Sequence, residues 1–282
     1  MKKFSLSKLL PVFLLVFIFF TANAQKLPAV QQISLRAPAE IQVDGKATEW
    51  NNRFQAYNDS THFYYTIAND DKNLYLTVQA SDPAIINMIV WGGITLSINK
   101  AGKKDFEEAA TITYPDLKDA NYPALAKNDP KLLKEMATVV NFSDKKARPD
   151  SLAMAGNSLL TARSKFIWVN GIRRLAELTS VNNQKGIKAV SMFDNKMVYI
   201  YELAVDLSLL GLNAAKPEKF AYNIAEGIPH QILMGKIIGN IFLSASRGPI
   251  YASFTPSHRP PSPDNPHGYE PADFWGEYTL AK

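Results

Sequence analysis

Short segments in which apolar and polar residues alternate recur along this chain, and they constrain its fold more than any other feature. They fall at residues 41–43, 63–67, 74–80, 94–98, 166–169, 187–192, 198–205, 219–228, 237–245 and 276–280. A period of two is typical of strands with one buried face. The turn formers from Asn69 to Asn73 separate two of these segments and predict an antiparallel hairpin. The sequence therefore predicts an all-β fold, an antiparallel two-sheet β-sandwich.

The middle of the chain breaks this pattern. Asp129 and Pro130 form a helix start, and apolar residues then recur at helical spacing, which predicts a helix over 130–141. A second short helix is expected near 151–162. We therefore expect a single sandwich domain at 38–282 with a short helical excursion, an insertion at about 105–163, behind a flexible lead-in at 25–37.

The first 24 residues have the three parts of a cleavable signal peptide. Lys2, Lys3 and Lys8 precede the apolar run 9–20, and small residues at 22 and 24 suit cleavage before Gln25. The run has 12 residues, whereas a membrane span needs about 20. We expect export to the periplasm or the exterior, with no membrane span after cleavage.

Charge and cysteine content exclude several classes of function. The chain has 31 Lys and Arg against 26 Asp and Glu, so removing the three signal lysines leaves 28 against 26, a net charge of +2. No basic stripe indicates nucleic acid as a partner. The absence of cysteine excludes thiol nucleophiles, zinc–thiolate sites and iron–sulfur clusters.

Four segments together resemble a known group of domains. They are the opening I-x-V-D-G-x-x-x-E-W at 41–50, the hairpin D-D-x-N-L-Y at 70–75, the segment 201–212 (YELAVDLSLLGL), and the closing F-W-G-E-Y-T-L at 274–280. In this order they resemble family 9 carbohydrate-binding modules and the related DOMON-like β-sandwiches, as found in secreted proteins of Bacteroidetes-like bacteria. Asp206 stands where that group usually has proline. The resemblance implies a sandwich that serves as a binding or accessory domain.

Tryptophans are the first candidates for a sugar-binding surface, because a sugar ring packs its C–H face on an aromatic side chain. Trp50 and Trp275 belong to the opening and closing motifs and are expected in the core. Trp91, before Gly92 and Gly93 at an expected strand entrance, and Trp168, in the middle of a strand, are the candidate platforms. Buried aromatic packing is the alternative for both.

A proline-rich loop over 255–271 is the second candidate. Prolines deny it ladder hydrogen bonds, and with the residues just before it, it gathers ring and hydrogen-bonding groups. These candidate ligand-binding residues are Arg247, Tyr251, His258, Arg259, His267 and Tyr269. The alternative is a cover for a sheet edge.

The sequence favours neither a cofactor nor a catalytic centre. Asp44, Asp70, Asp71 and Asp82 could supply calcium ligands, but turn chemistry explains them without a metal. No pair of axial ligands indicates haem. No nucleophile elbow, H-E-x-x-H, phosphate loop or dinucleotide fingerprint occurs. Glu107, Glu108 and Glu202 are the carboxylates from which a glycosidase pair could come.

Three hypotheses about function follow. The first is a secreted, non-catalytic domain that binds a glycan or oligosaccharide. The second is an envelope domain that binds a protein partner through the helix and excursion at 105–163. The third is a glycan-active hydrolase. No cofactor or metal is expected.

Overall fold

A computed structural model describes residues 26–115, 149–226 and 272–282. The helix predicted at 130–141, the strand predicted at 237–245 and the proline-rich loop lie outside these residues. In the described part, two antiparallel sheets of five and six strands face each other, which confirms the predicted two-sheet sandwich. The helices there are α1 (Pro83–Gly92) and α2 (Pro149–Arg163), with 3-10 turns at Thr48–Trp50 and Leu207–Leu209.

The strands of the five-stranded sheet are, in spatial order, β1 (Ala56–Asn58), β2 (Phe63–Asn69), β3 (Asn73–Ala80), β9 (Tyr199–Asp206) and β8 (Ile187–Phe193). Those of the six-stranded sheet are β11 (Asp273–Thr279), β10 (Lys219–Glu226), β4 (Ile94–Asn99), β5 (Ala110–Tyr114), β6 (Phe166–Asn170) and β7 (Leu178–Ser180). β5 lies inside the segment predicted as an insertion. β11 is an edge strand that pairs only with β10 among the described strands.

Alternating apolar residues from both sheets form the main core. Ile67, Leu76 and Leu203 line it from one sheet, and Leu96 and Ile224 line it from the other. The hydroxyls of Tyr65 on β2 and Tyr222 on β10 lie 3.0 Å apart, which joins the two sheets through the middle of the core. Hydrogen bonding satisfies both hydroxyls where burial would otherwise be costly.

Two helices close the sandwich. The Asp82 carboxylate accepts a hydrogen bond from Ala84 N (2.8 Å) and so begins α1, whose Ile85, Ile86 and Ile89 are buried in the core. α2 lies where the second helix was predicted, and its Asn157 exchanges two hydrogen bonds with the backbone of Phe193 on β8. In the described residues, neither helix is long and apolar enough to cross a membrane.

A smaller apolar cluster covers the outer face of the five-stranded sheet. Ala47, Trp50 and Phe54 pack there against Ala68 and Ile200. Trp50 is therefore buried, as expected for the opening motif. The predicted strand at 41–43 is wrong, because these residues form part of this irregular cover rather than a ladder.

Candidate functional site

The outer face of the six-stranded sheet follows from its register. Trp275 lies opposite Asn223, Ser97 and Thr111 in one row across the strands, and Trp168 lies opposite Thr113 in the next row. Residues directly opposite share a face of the sheet. Because their neighbours along each strand face the core, both tryptophans project from the other side.

The middle of this outer face is polar and buried. Thr95 and Thr113 hold their hydroxyls 2.7 Å apart, and Asn223 donates to an oxygen of Asp273 at 2.6 Å. Ser97, Thr111 and Asn223 are each less than 5% exposed. The accessible side chains of this face therefore lie toward its two edges, at β11 and at β6 with β7.

A cleft of about 430 Å³ opens at the β11 edge. Its walls are residues 30–34 of the lead-in and residues 275–279 of β11, together with Lys104 and Lys219. All of these residues belong to the described part of the chain. We call this space the edge cleft.

The lead-in wall of the edge cleft is fixed by hydrogen bonds. The Gln31 side chain accepts from Ile67 N and donates to Ile67 O, both at 2.8 Å, so it pairs with β2 as a strand residue would. Ser34 Oγ donates to Thr279 O (2.5 Å), and the Tyr278 hydroxyl donates to Leu35 O (2.9 Å). These bonds hold residues 31–35 against both sheets.

The β11 wall presents the ring of Trp275. Trp275 is half-buried, and its ring centroid lies 5.1 Å from that of Phe106 in the β4–β5 connection. Asn99 anchors that connection by donating to Asp105 Oδ1 (2.9 Å) and Glu107 O (3.0 Å). Packing against Phe106 restrains the indole, and Trp275 is one of the residues that line the cleft.

Three charged side chains complete the edge cleft. Glu277 lies two residues after Trp275 on the same face of β11, and its carboxylate lies 2.9 Å from Lys219 Nζ and 3.6 Å from Lys104 Nζ. The hydrogen bond from Lys219 and the positive charges of both lysines lower the pKa of Glu277, so it stays ionised. A ligand in this cleft meets an aromatic surface beside charged hydrogen-bonding groups.

The predicted ligand-binding residues have different outcomes. Trp91 lies in the last turn of α1, a helix that the sequence interpretation did not predict, three residues before β4 begins at Ile94. The Trp91 side chain is outside the described part. Trp168 is half-buried on β6 and shares its face with Phe166, which is 47% exposed. The remaining candidates, Arg247, Tyr251, His258, Arg259, His267 and Tyr269, lie outside the described residues.

Trp275 is the residue that the sequence interpretation misplaced. It is absent from the core and lines the edge cleft instead. The alternation of residues along the closing strand indicated the correct placement, because Trp275 lies on the same side of the strand as Asp273, Glu277 and Thr279. The opposite parity, at Gly276, Tyr278 and Leu280, is buried.

Glu202 has a structural contact rather than a place at a cleft. Its Oε2 accepts hydrogen bonds from Asp44 N (2.9 Å) and Gly45 N (2.8 Å), in the turn of the opening motif. Burial raises the pKa of Glu202 to about 7, and the nearby charges of Glu49 and Asp44 add to this, while the two backbone bonds oppose it. Glu107 and Glu108 are exposed on the β4–β5 connection of the other sheet.

The acidic turn residues make the hydrogen bonds that turns require. Asp70 accepts from Lys72 N (2.7 Å) and Asn73 N (2.6 Å) through one oxygen and from the Tyr75 hydroxyl (2.7 Å) through the other. Asp44 accepts from Lys46 N at 3.0 Å. Among the residues that the structure describes, no group of three or more His, Asp or Glu is arranged to hold a metal ion.

Two comparisons with known proteins found no relative of this chain. No protein-family model matches the chain, and no curated protein is significantly similar to it.

Proposed function

We propose that this protein is a secreted, non-catalytic carbohydrate-binding domain whose ligand packs on Trp275 in the edge cleft. The observation that carries the proposal is a half-buried indole in the wall of a 430 Å³ cleft, beside exposed lysine and glutamate side chains. An aromatic surface takes the apolar face of a sugar ring, and a few placed polar groups fix its hydroxyls. The signal-peptide pattern at 1–24 supports export.

Affinity electrophoresis in a panel of soluble polysaccharides, followed by a glycan array, tests this proposal. We expect at least one glycan to retard the protein and Trp275→Ala to weaken that binding at least about tenfold, or about 1.4 kcal/mol. Trp168→Ala is the matched control, because it removes a tryptophan from the same face at the far side of the sheet. We expect it to bind as the parent does.

Two results would count against this assignment. If no glycan retards the protein, carbohydrate binding is wrong. If Trp168→Ala abolishes binding while Trp275→Ala has no effect, the ligand lies at the β6 side. Circular dichroism and thermal melting of both variants separate loss of binding from loss of fold.

One observation favours a protein partner as a second candidate. Met154 on α2, inside the predicted insertion, is 71% exposed beside Asn157, Ser158 and Thr161. A large apolar side chain on a helix surface is a usual contact in protein interfaces. A partner captured from an envelope extract that bound glycans do not displace would favour this candidate over the first.

The hydrolase alternative gains no support from the carboxylates that could have supplied it. Glu202 lies beneath the 44–45 turn on the five-stranded sheet, whereas Glu107 and Glu108 belong to a connection of the six-stranded sheet. A glycosidase needs two carboxyl groups on opposite sides of one bond. Release of reducing sugar from the bound polysaccharide would restore this alternative.

A further inference from the structure

The edge cleft is lined by more positively charged than negatively charged side chains. Lys104 and Lys219 reach one carboxylate, that of Glu277, from the β4–β5 connection and from the start of β10. These three are the charged residues among those that line the cleft. One positive charge therefore remains beside Trp275 after the ion pairs are counted.

Other acidic residues stand near the cleft but outside its lining. Glu218 pairs with Lys216 at 3.2 Å. The Asp105 carboxylate is engaged within the β4–β5 connection, where it accepts from Asn99 Nδ2 (2.9 Å) and Glu107 N (3.1 Å). Hydrogen bonds do not remove the charge of Asp105, so the surplus of one positive charge is a property of the lining side chains alone. The whole chain after the predicted signal peptide is close to neutral.

The two lysines are free to change partners. Their side chains are 51% and 61% exposed, and a solvent-exposed ion pair contributes at most about 1 kcal/mol. A lysine ammonium on a flexible stem can shift from Glu277 to an anion of the ligand with little cost. The fixed partner in this group is the indole, which Phe106 holds in place.

We propose that the edge cleft selects an anionic glycan, with a sugar ring on Trp275 and its carboxylate or sulfate group at Lys104 and Lys219. This inference rests on the proposed carbohydrate-binding function and names its ligand class. The aromatic ring provides the surface for the sugar, and the unequal charge provides the preference among sugars.

Matched pairs of polymers that differ only in charge test the preference. One pair is polygalacturonate and its methyl ester, and the other is dextran sulfate and dextran. We expect the anionic member of at least one pair to bind at least about tenfold more tightly than its neutral partner. The pair that shows this difference identifies carboxylate or sulfate as the recognised group. Added salt should reduce that difference, because it screens exposed charges.

Two double variants assign the preference to the cleft. The double variant Lys104→Met with Lys219→Met keeps the aliphatic part of both side chains. Its affinity for the anionic polymer should fall to its affinity for the neutral partner. Lys185→Met with Lys188→Met removes the same charge at exposed positions before and on β8, and should leave the preference intact. Trp275→Ala should weaken both members of a pair.

The outcomes separate the two proposals. Equal binding of charged and neutral polymers, both lost in Trp275→Ala, would overturn the anionic preference and keep the proposed function. An equal loss in both double variants would show non-specific attraction and also overturn the preference. If none of these polymers and no other glycan binds, both proposals are wrong.

Discussion

Gly276 is a position on β11 where the sandwich has no room for a side chain. A Cβ built there would overlap the ring and hydroxyl of Tyr222. That ring cannot move freely, because its hydroxyl is 3.0 Å from the Tyr65 hydroxyl across the core. Gly276 therefore allows the edge strand to approach β10, and with it brings Trp275 and Glu277 to the cleft.

We predict that Gly276→Ala lowers the free energy of unfolding by about 2 kcal/mol, because it overpacks a closely filled core. Urea denaturation measures this. In a Tyr222→Leu background the same substitution should cost less, since the ring carbons and the hydroxyl that Cβ meets are gone. Additive effects of the two substitutions would show that this contact is not the cause.

The sequence determined the placement of some tryptophans better than that of others. Trp50 is buried as predicted, because its motif contributes apolar side chains to the cover of the five-stranded sheet. Trp275 was also expected in the core. Glu277 and Thr279, which share its side of the strand, are polar and indicated instead that its ring faces outward. The contact with Phe106 joins residues far apart in sequence, so no local pattern could have predicted it.

Elements with strong local signals were predicted and those with weak signals were not. The β2–β3 hairpin, β4, β6, β8, β9 and α2 agree with the predicted positions to within a few residues. β1 and β7 have three residues each, too few for alternation to be visible. α1 begins with Asp82 and Pro83, a readable helix start, but its nearly continuous apolar run also suits a buried strand.

The lead-in is the element whose attachment determines the shape of the edge cleft. Gln31 is 4% exposed, and its side chain satisfies both backbone groups of Ile67 on the side of β2 that β1 does not reach. Its Nε2 also donates to Ile33 O at 2.8 Å, which shapes the wall of the cleft. One glutamine thus takes the place of a strand along this stretch of the sheet edge.

We predict that Gln31→Leu costs about 3 kcal/mol of stability, because it leaves the buried Ile67 N–H and C=O unpaired. Gln32→Leu is the matched control. Gln32 is exposed and its side chain donates to Val30 O, so its loss should change stability by no more than about 0.5 kcal/mol. Urea denaturation and amide exchange at Ile67 provide the measurements. Equal effects of the two substitutions would contradict this role of Gln31.

At the scale of the whole molecule, a buried carboxyl group joins the sandwich to the irregular segment that contains Ala47, Trp50 and Phe54 and covers the five-stranded sheet. Glu202 on β9 is 2% exposed and holds the 44–45 turn, while its Oε1 has no hydrogen-bond partner within the described part. Two of the four segments on which the resemblance rests, 41–50 and 201–212, therefore meet at this residue. The sequence shows the order of the two segments, but it does not show their contact, because that contact forms only in the folded protein.

The raised pKa of Glu202 makes this attachment depend on pH. The folded state holds a proton up to about pH 7, whereas the unfolded chain loses it near the ordinary glutamate pKa of 4.5. Between these values the folded state binds more protons, so stability falls as pH rises. The shift corresponds to about 3 kcal/mol. Buried Glu226 has a raised pKa and contributes in the same direction.

Glu202→Gln isolates the contribution of this one group. The amide oxygen can still accept both turn hydrogen bonds, and like the protonated acid the side chain is neutral. The variant should therefore match the parent near about pH 4, where Glu202 is protonated in the folded state and largely protonated in the unfolded chain. Near about pH 8, we expect the variant to be more stable than the parent by about 3 kcal/mol. Taking the difference between parent and variant cancels Glu226 and every other titrating group. Urea denaturation across this range measures the difference, and curves that stay parallel from about pH 4 to pH 8 would show that the pKa of Glu202 is not raised by folding.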